Sequence, residues 1–167
     1  WTLYDGRSIL RAGDADVTLA PASAETRAAV PVPAARRERC VLCCTFRRGE
    51  QILSRNSLLL TEQREHSFER PVLRARLTRE GAGCRLELTA GCFVKSLCVD
   101  AAEGDIRLSD NFFDLEPNMP YTIAVYPASP GALDGLKGKL IFRSVNDVAC
   151  GAEAEGTAVS WEGSDHE

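Results

Sequence analysis

Histidine is nearly missing from this chain: His66 and His166 are the only two in 167 residues. A Ser-His-Asp or Cys-His relay has almost no material, and His66, set among charged neighbours, reads as a solvated loop residue rather than a base. Long apolar runs are absent as well. Nothing approaches the roughly 18 residues that a membrane-spanning helix needs, so no membrane partner is expected. Aromatic residues make up only 7%, too few for the exposed row of ring platforms that a stand-alone carbohydrate-binding sheet requires. No block of one charge stands out: 20 basic and 24 acidic residues are interleaved, for a formal net charge of -4, and a nucleic-acid partner is not expected. Arg36-Arg37 and Arg47-Arg48 read as solvated loop charges. Gly81-Ala82-Gly83 lies in a hairpin and is too short to cradle a phosphate.

The chain opens at Trp1 with neither an initiator Met nor a signal peptide, which suggests a piece of a longer protein that begins inside a strand. Its strand neighbours would then be missing and one sheet edge left open. Cysteine is plentiful instead, at 40, 43, 44, 84, 92, 98 and 150. An odd count without a secretion signal argues for reduced thiols and a cytoplasmic location. Cys40-Val41-Leu42-Cys43-Cys44-Thr45-Phe46 has the spacing of a zinc or redox pair, but it reads as a strand, and no second close pair completes a four-ligand site. Small apolar residues in strand cores is the expectation, with no metal and no cofactor.

Most of the chain reads as strands. Candidates are 1–4, 16–20, 25–30, 40–46, 52–60, 73–78, 85–89, 93–100, 106–108, 121–126 and 139–143. In the clearest, Leu73, Ala75 and Leu77 face one way and Arg74, Arg76 and Thr78 the other, as in a sheet with one wet face. Turn signals separate the strands at Asp5-Gly6, Arg48-Gly49-Glu50, Glu80 to Gly83 and Glu103-Gly104-Asp105. Pro21, Pro31 and Pro33 leave little room for a helix, and 31–35 reads as a connection. Short strands at this spacing predict an all-β antiparallel sandwich.

The densest signal is Asp105-Ile106-Arg107-Leu108-Ser109-Asp110-Asn111-Phe112-Phe113-Asp114-Leu115-Glu116-Pro117-Asn118-Met119. Asp110 and Asn111 favour a self-bonding turn, Phe112, Phe113 and Leu115 are apolar anchors for the loop, and Glu116-Pro117-Asn118 sets a second reversal before the Tyr121–Tyr126 strand. Together with Cys92-Phe93-Val94-Lys95-Ser96-Leu97-Cys98-Val99, this stretch resembles the C-terminal immunoglobulin-like domain of β-mannosidases in glycoside hydrolase family 2. Asn118 stands where that family usually has Gly, a mild departure because Asn tolerates positive φ. Trp1 to Leu10 and Ile52 to Asn56 resemble strands of the preceding immunoglobulin-like domain, so the similarity covers about residues 1 to 127.

The resemblance implies two immunoglobulin-like sandwiches in tandem: a partial one over 1–70, incomplete at its N-terminus, and a C-terminal one over 71–147, with the hinge near Glu69-Arg70-Pro71. Beyond Pro127, Ala128 to Ala132 reads as a loop and Leu136 to Val145 as a returning strand. Residues 148–167 are rich in Gly, Ala, Ser and acids, and read as a disordered acidic tail.

Family 2 enzymes work with two carboxylates about 5 to 5.5 Å apart on a TIM barrel of about 250 residues. This chain is too short for a barrel and shows no βαβ alternation. Asp110 and Asp114 read as turn residues that satisfy backbone N–H groups, not as that pair. No catalytic residue is therefore assigned. The resemblance implies a non-catalytic accessory fragment whose partner is the catalytic barrel of the parent chain, with carbohydrate at the parent active site a further implied ligand. A stand-alone carbohydrate-binding or protein-interaction sandwich is the alternative.

Overall fold

The computed structural model describes residues 1–18, 20–26, 29–128 and 135–162. The chain divides into two compact units, Trp1–Ser67 and Phe68–Glu167. The division falls three residues before the expected hinge, because 68–70 are already tied into the second unit. The Cys150 thiol reaches the Phe68 carbonyl, Asn146 Nδ2 donates to the Glu69 carbonyl, and Arg70 pairs with Glu155.

In the first unit, β1 (Thr2–Asp5), β2 (Ser8–Ala12), β3 (Cys40–Arg48) and β4 (Gln51–Leu59) form one antiparallel sheet in the order β2-β1-β3-β4. Gly6 and Gly49 turn the two hairpins at positive φ. Leu3, Tyr4, Cys40, Val41 and Cys43 are buried. The first unit therefore differs from the expected sandwich: among the described residues it has one sheet and no second sheet facing it. The described parts of 16–20 and 25–30 lie in no strand; residue 19 and residues 27–28 fall outside the described residues. Pro21, Pro31 and Pro33 cannot donate to a ladder, and chain continuing past Pro33 coils into a 3₁₀ turn over Ala34–Arg39. Arg36 is exposed, as expected of a solvated charge, and from that turn Arg36 and Arg39 each lie 3.0 Å from the buried carboxylate of Asp5.

The second unit is a closed sandwich. One sheet has the order β12-β5-β6-β10-β8, built from β5 (Val72–Glu80), β6 (Gly83–Ala90), β8 (Ile106–Leu108), β10 (Tyr121–Pro127) and β12 (Ala158–Trp161). The other has the order β11-β7-β9, from β7 (Val94–Ala101), β9 (Phe113–Leu115) and β11 (Leu140–Arg143). Inward residues alternate along the strands as the period-two pattern requires: Leu73 and Ala75, Leu86 and Leu88, Ile123 and Val125 from the first sheet meet Leu97, Val99, Leu115, Leu140 and Phe142 from the second. The fold is all-β with antiparallel sheets apart from one pair, since β12 runs parallel to β5.

That pair overturns the disordered tail. Ser144 and Asp147 form a reciprocal capping box that starts the short helix α2 (Val145–Ala149); a one-turn helix, α1 (Leu136–Lys139), precedes β11. Asp147 is buried and accepts from Ser144 N, Ser144 Oγ and Thr157 Oγ1. Asn146, fully buried, donates to the Glu69 and Phe93 carbonyls and accepts from Lys95 N–H. Thr157 N–H then reaches the Phe142 carbonyl, and Val159 and Trp161 pack on the core. Small polar residues are compatible with disorder by composition, but a buried polar cluster gathered on Asp147 Oδ2 and Asn146 holds them here. Residues 163–167 of the expected tail, and most of the expected loop after Pro127 (129–134), lie outside the described residues.

Candidate functional site

Within the stretch singled out in the sequence, 105–119, residues 109–112 are the crossover that carries the chain from the edge of one sheet to the edge of the other. Strand β8 ends the five-stranded sheet and β9 ends the three-stranded one. The turn is fastened to both. On the side of the first sheet, Ser109 N–H donates to the Ala124 carbonyl at 3.0 Å and Ser109 Oγ accepts Ala124 N–H at 2.9 Å. On the other, the Asn111 side chain copies a strand residue: Oδ1 accepts Val99 N–H at 2.8 Å and Nδ2 donates to the Val99 carbonyl at 3.0 Å. The β7–β9 ladder, which pairs Leu97 with Phe113, is thus prolonged by an amide side chain.

Both carboxylates of the loop are spent on structure. Asp110 accepts Asn111 N–H at 2.8 Å and the Tyr121 hydroxyl at 2.6 Å. Asp114 accepts Ser96 N–H and Lys95 Nζ, each at 2.8 Å. The Ser96 bond holds a residue at φ +50°, where β7 bulges between Val94 and Leu97. The arrangement is that of backbone satisfaction, with neither oxygen set left bare to act on a substrate.

Of the expected anchors, Phe113 and Leu115 are buried, at 7% and 0% exposure. Phe113 stacks on Tyr121 with ring centroids 4.3 Å apart and planes within 4°. Phe112 is a correction: its ring is 67% exposed and its backbone sits at φ +59°. Phe112 lies just before β9, and the left-handed turn at that residue leaves its ring in solvent while Phe113 and Leu115 point inward along the strand. Asn118 adopts φ +60°, the left-handed turn its place in the sequence demands, and donates to the Ala90 carbonyl.

Other candidates carry less. His66 is buried, at 9% exposure, rather than solvated, and burial pulls its pKa below 6.5. Burial raises the thiol pKa of Cys40, Cys84 and Cys98, with Asp5 adding to the effect at Cys40 and Asp100 at Cys98. Thiols held protonated are weak nucleophiles and weak metal ligands. Among the described residues no group of three or more His, Cys, Asp or Glu is placed to hold a metal ion. A shallow pocket of about 270 Å³ is lined by Asp105, Ile106, Arg107, Tyr126, Pro127 and Ala128. Its aromatic ring is not a free platform: Tyr126 packs over Gly83, where an added Cβ would come within 2.7 Å, and lies under the Arg107 guanidinium at 5.1 Å. Sequence reasoning missed Asn146 and Asp147; the Ser144-x-x-Asp147 spacing was the available signal.

No curated protein matches the chain. A solved structure, the β-D-mannosidase of Dictyoglomus thermophilum, superposes on 75% of this chain with a TM-score of 0.58 and 12% identity. The chain spans only 14% of the length of that enzyme. Residues 68–148, most of the second unit, match the model of the Ig_mannosidase family, an Ig-fold domain.

Proposed function

We propose that this chain is a non-catalytic accessory segment of a β-mannosidase-like glycoside hydrolase, and that its Ig-fold unit packs against and supports a catalytic barrel that lies outside these 167 residues. The observation that carries the reading is the match of 68–148 to the mannosidase Ig-fold family, in a unit whose Asp110 and Asp114 are committed to backbone and side-chain donors. The parent enzyme, on this reading, is a retaining hydrolase that keeps its two carboxylates on the barrel. The protein is cytoplasmic, in keeping with its free thiols. Carbohydrate is met at the parent active site and not on this segment, a reading supported by Tyr126, whose ring already packs on Gly83 and under Arg107.

The test is an assay of the purified chain against an aryl β-mannoside. No turnover is expected. Turnover that disappears in Asp110→Asn or Asp114→Asn would overturn the accessory role. A parent polypeptide without a barrel would overturn the partner.

A further inference from the structure

We propose that residues 150–162 form a strap laid on an already complete sandwich, and that this strap keeps β5 from pairing edge to edge with β5 of a second copy of the chain. Three features set the strap apart. The core of the second unit draws its buried residues from between 73 and 142 and none from the strap, whose Val159 and Trp161 pack against it only partly buried. The match to the Ig-fold family ends at residue 148, so the strap lies beyond the matched domain. Among the described residues, β12 is also the only parallel addition to antiparallel sheets, placed outside β5 at the end of the order β12-β5-β6-β10-β8.

The strap covers what would otherwise be the longest edge of the sandwich. Among the described residues the remaining edges are β8 and β9, of three residues each, and β11, of four. Edges so short offer little for another chain to pair with. Without β12 the fourth edge would be β5, nine residues long. The strap lies on the less charged half of it: Ala158, Val159, Ser160 and Trp161 pair with Val72, Leu73, Arg74 and Ala75, and Glu162 N–H donates to the Ala75 carbonyl. The uncovered half, 76–80, carries Arg76, Arg79 and Glu80, and charge of that density discourages strand addition by itself. The strap is fastened largely by polar groups. Thr157 N–H donates to the Phe142 carbonyl at 2.8 Å and Thr157 Oγ1 to buried Asp147, while Arg70 pairs with Glu155 and Arg76 with Glu162. Trp161 adds a tilted ring contact with Phe142, centroids 6.1 Å apart. A segment held this way, with little fully buried apolar surface, opens locally before the sandwich does, so the guard is separable from the fold it guards.

The test loosens the strap of the full 167-residue chain in two independent ways. Gly156 sits at φ +70°, and a Cβ there would come within 2.8 Å of the Phe142 carbonyl, so Gly156→Val forces the strap outward. Thr157→Val combined with Trp161→Ser removes the hydroxyl on Asp147 and the ring on Phe142. In both variants, amide hydrogen exchange over 157–162 is expected to quicken roughly tenfold or more while β6 and β7 keep their protection. Sedimentation over about 1 to 100 µM is expected to show self-association roughly tenfold tighter than in the unaltered chain. Adding Val72→Lys, at an exposed position on the guarded half of β5, is expected to reverse that gain. Exchange over 157–162 that stays slow in both variants, or that quickens together with β6 and β7, would show that the strap is part of the sandwich and overturn the proposal. So would a loosened chain that associates no more than the unaltered one, or whose association ignores Val72→Lys.

Discussion

The two units of this chain use the same raw material, short strands and small apolar residues, and reach different degrees of closure. In the second, two sheets face each other and sixteen buried residues from Leu73 to Phe142 form one core. In the first, a single sheet buries Leu3, Tyr4 and Val41 but leaves Phe46, Ile52, Leu53 and Leu58 exposed by 44–57%. A strand gains most of its stability only when its apolar face meets another layer. The second unit also closes its seams with polar side chains, Asn111 on Val99 and Asn146 on three backbone groups, whereas in the first the buried carboxylate of Asp5 is bridged by two half-exposed arginines.

The comparison can be broken at several points. Leu115→Ala, at a fully buried position where the sandwich halves meet, is expected to cost about 2–5 kcal/mol, read as a drop in the denaturant midpoint of the second unit. Truncation after Ala149 is expected to cost on the order of 3 kcal/mol through loss of β12 and of the Trp161 contact with Phe142; an unchanged midpoint would mean that the closing strand adds nothing. Asn146→Ala strands two carbonyls and one N–H inside the second unit, for about 1–3 kcal/mol in the same measurement.

His66 gives a pH handle on the first unit. Burial favours the neutral ring, so the folded pKa lies below 6.5 and the unfolded chain takes up the proton first. Stability should therefore decline as pH falls below about 6.5, and His66→Gln should flatten that part of the profile. A profile unaltered by the substitution would show that the ring titrates freely. The smallest effect is expected at Arg70→Ala, which removes an exposed pair with Glu155 and should leave the melting temperature within error.

The reading from sequence succeeded where the signal is local. Alternation placed Leu73 and Ala75 inward, Gly49 and Gly81 marked hairpin turns, and Asn118 was read as a residue able to turn at positive φ. It failed where the outcome depends on contacts far along the chain. Composition of 148–162 says nothing of a strand whose partner, β5, lies some eighty residues earlier, and the charged neighbours of His66 gave no hint that its ring is buried. Phe112 belongs with the failures: an apolar residue beside Phe113 reads as a second anchor, and nothing adjacent in the sequence shows that it takes φ +59° and leaves its ring exposed.

By itself, then, the order of residues determined the periods, the turns and the all-β class, because these depend on the stereochemistry of a few adjacent residues. The tertiary structure alone decided which carboxylates are spent on backbone donors, which ring is left in solvent and which polar tail is held to the core. Those outcomes depend on which groups meet across the sandwich, and desolvation favours a polar group only when its partner arrives from elsewhere in the chain.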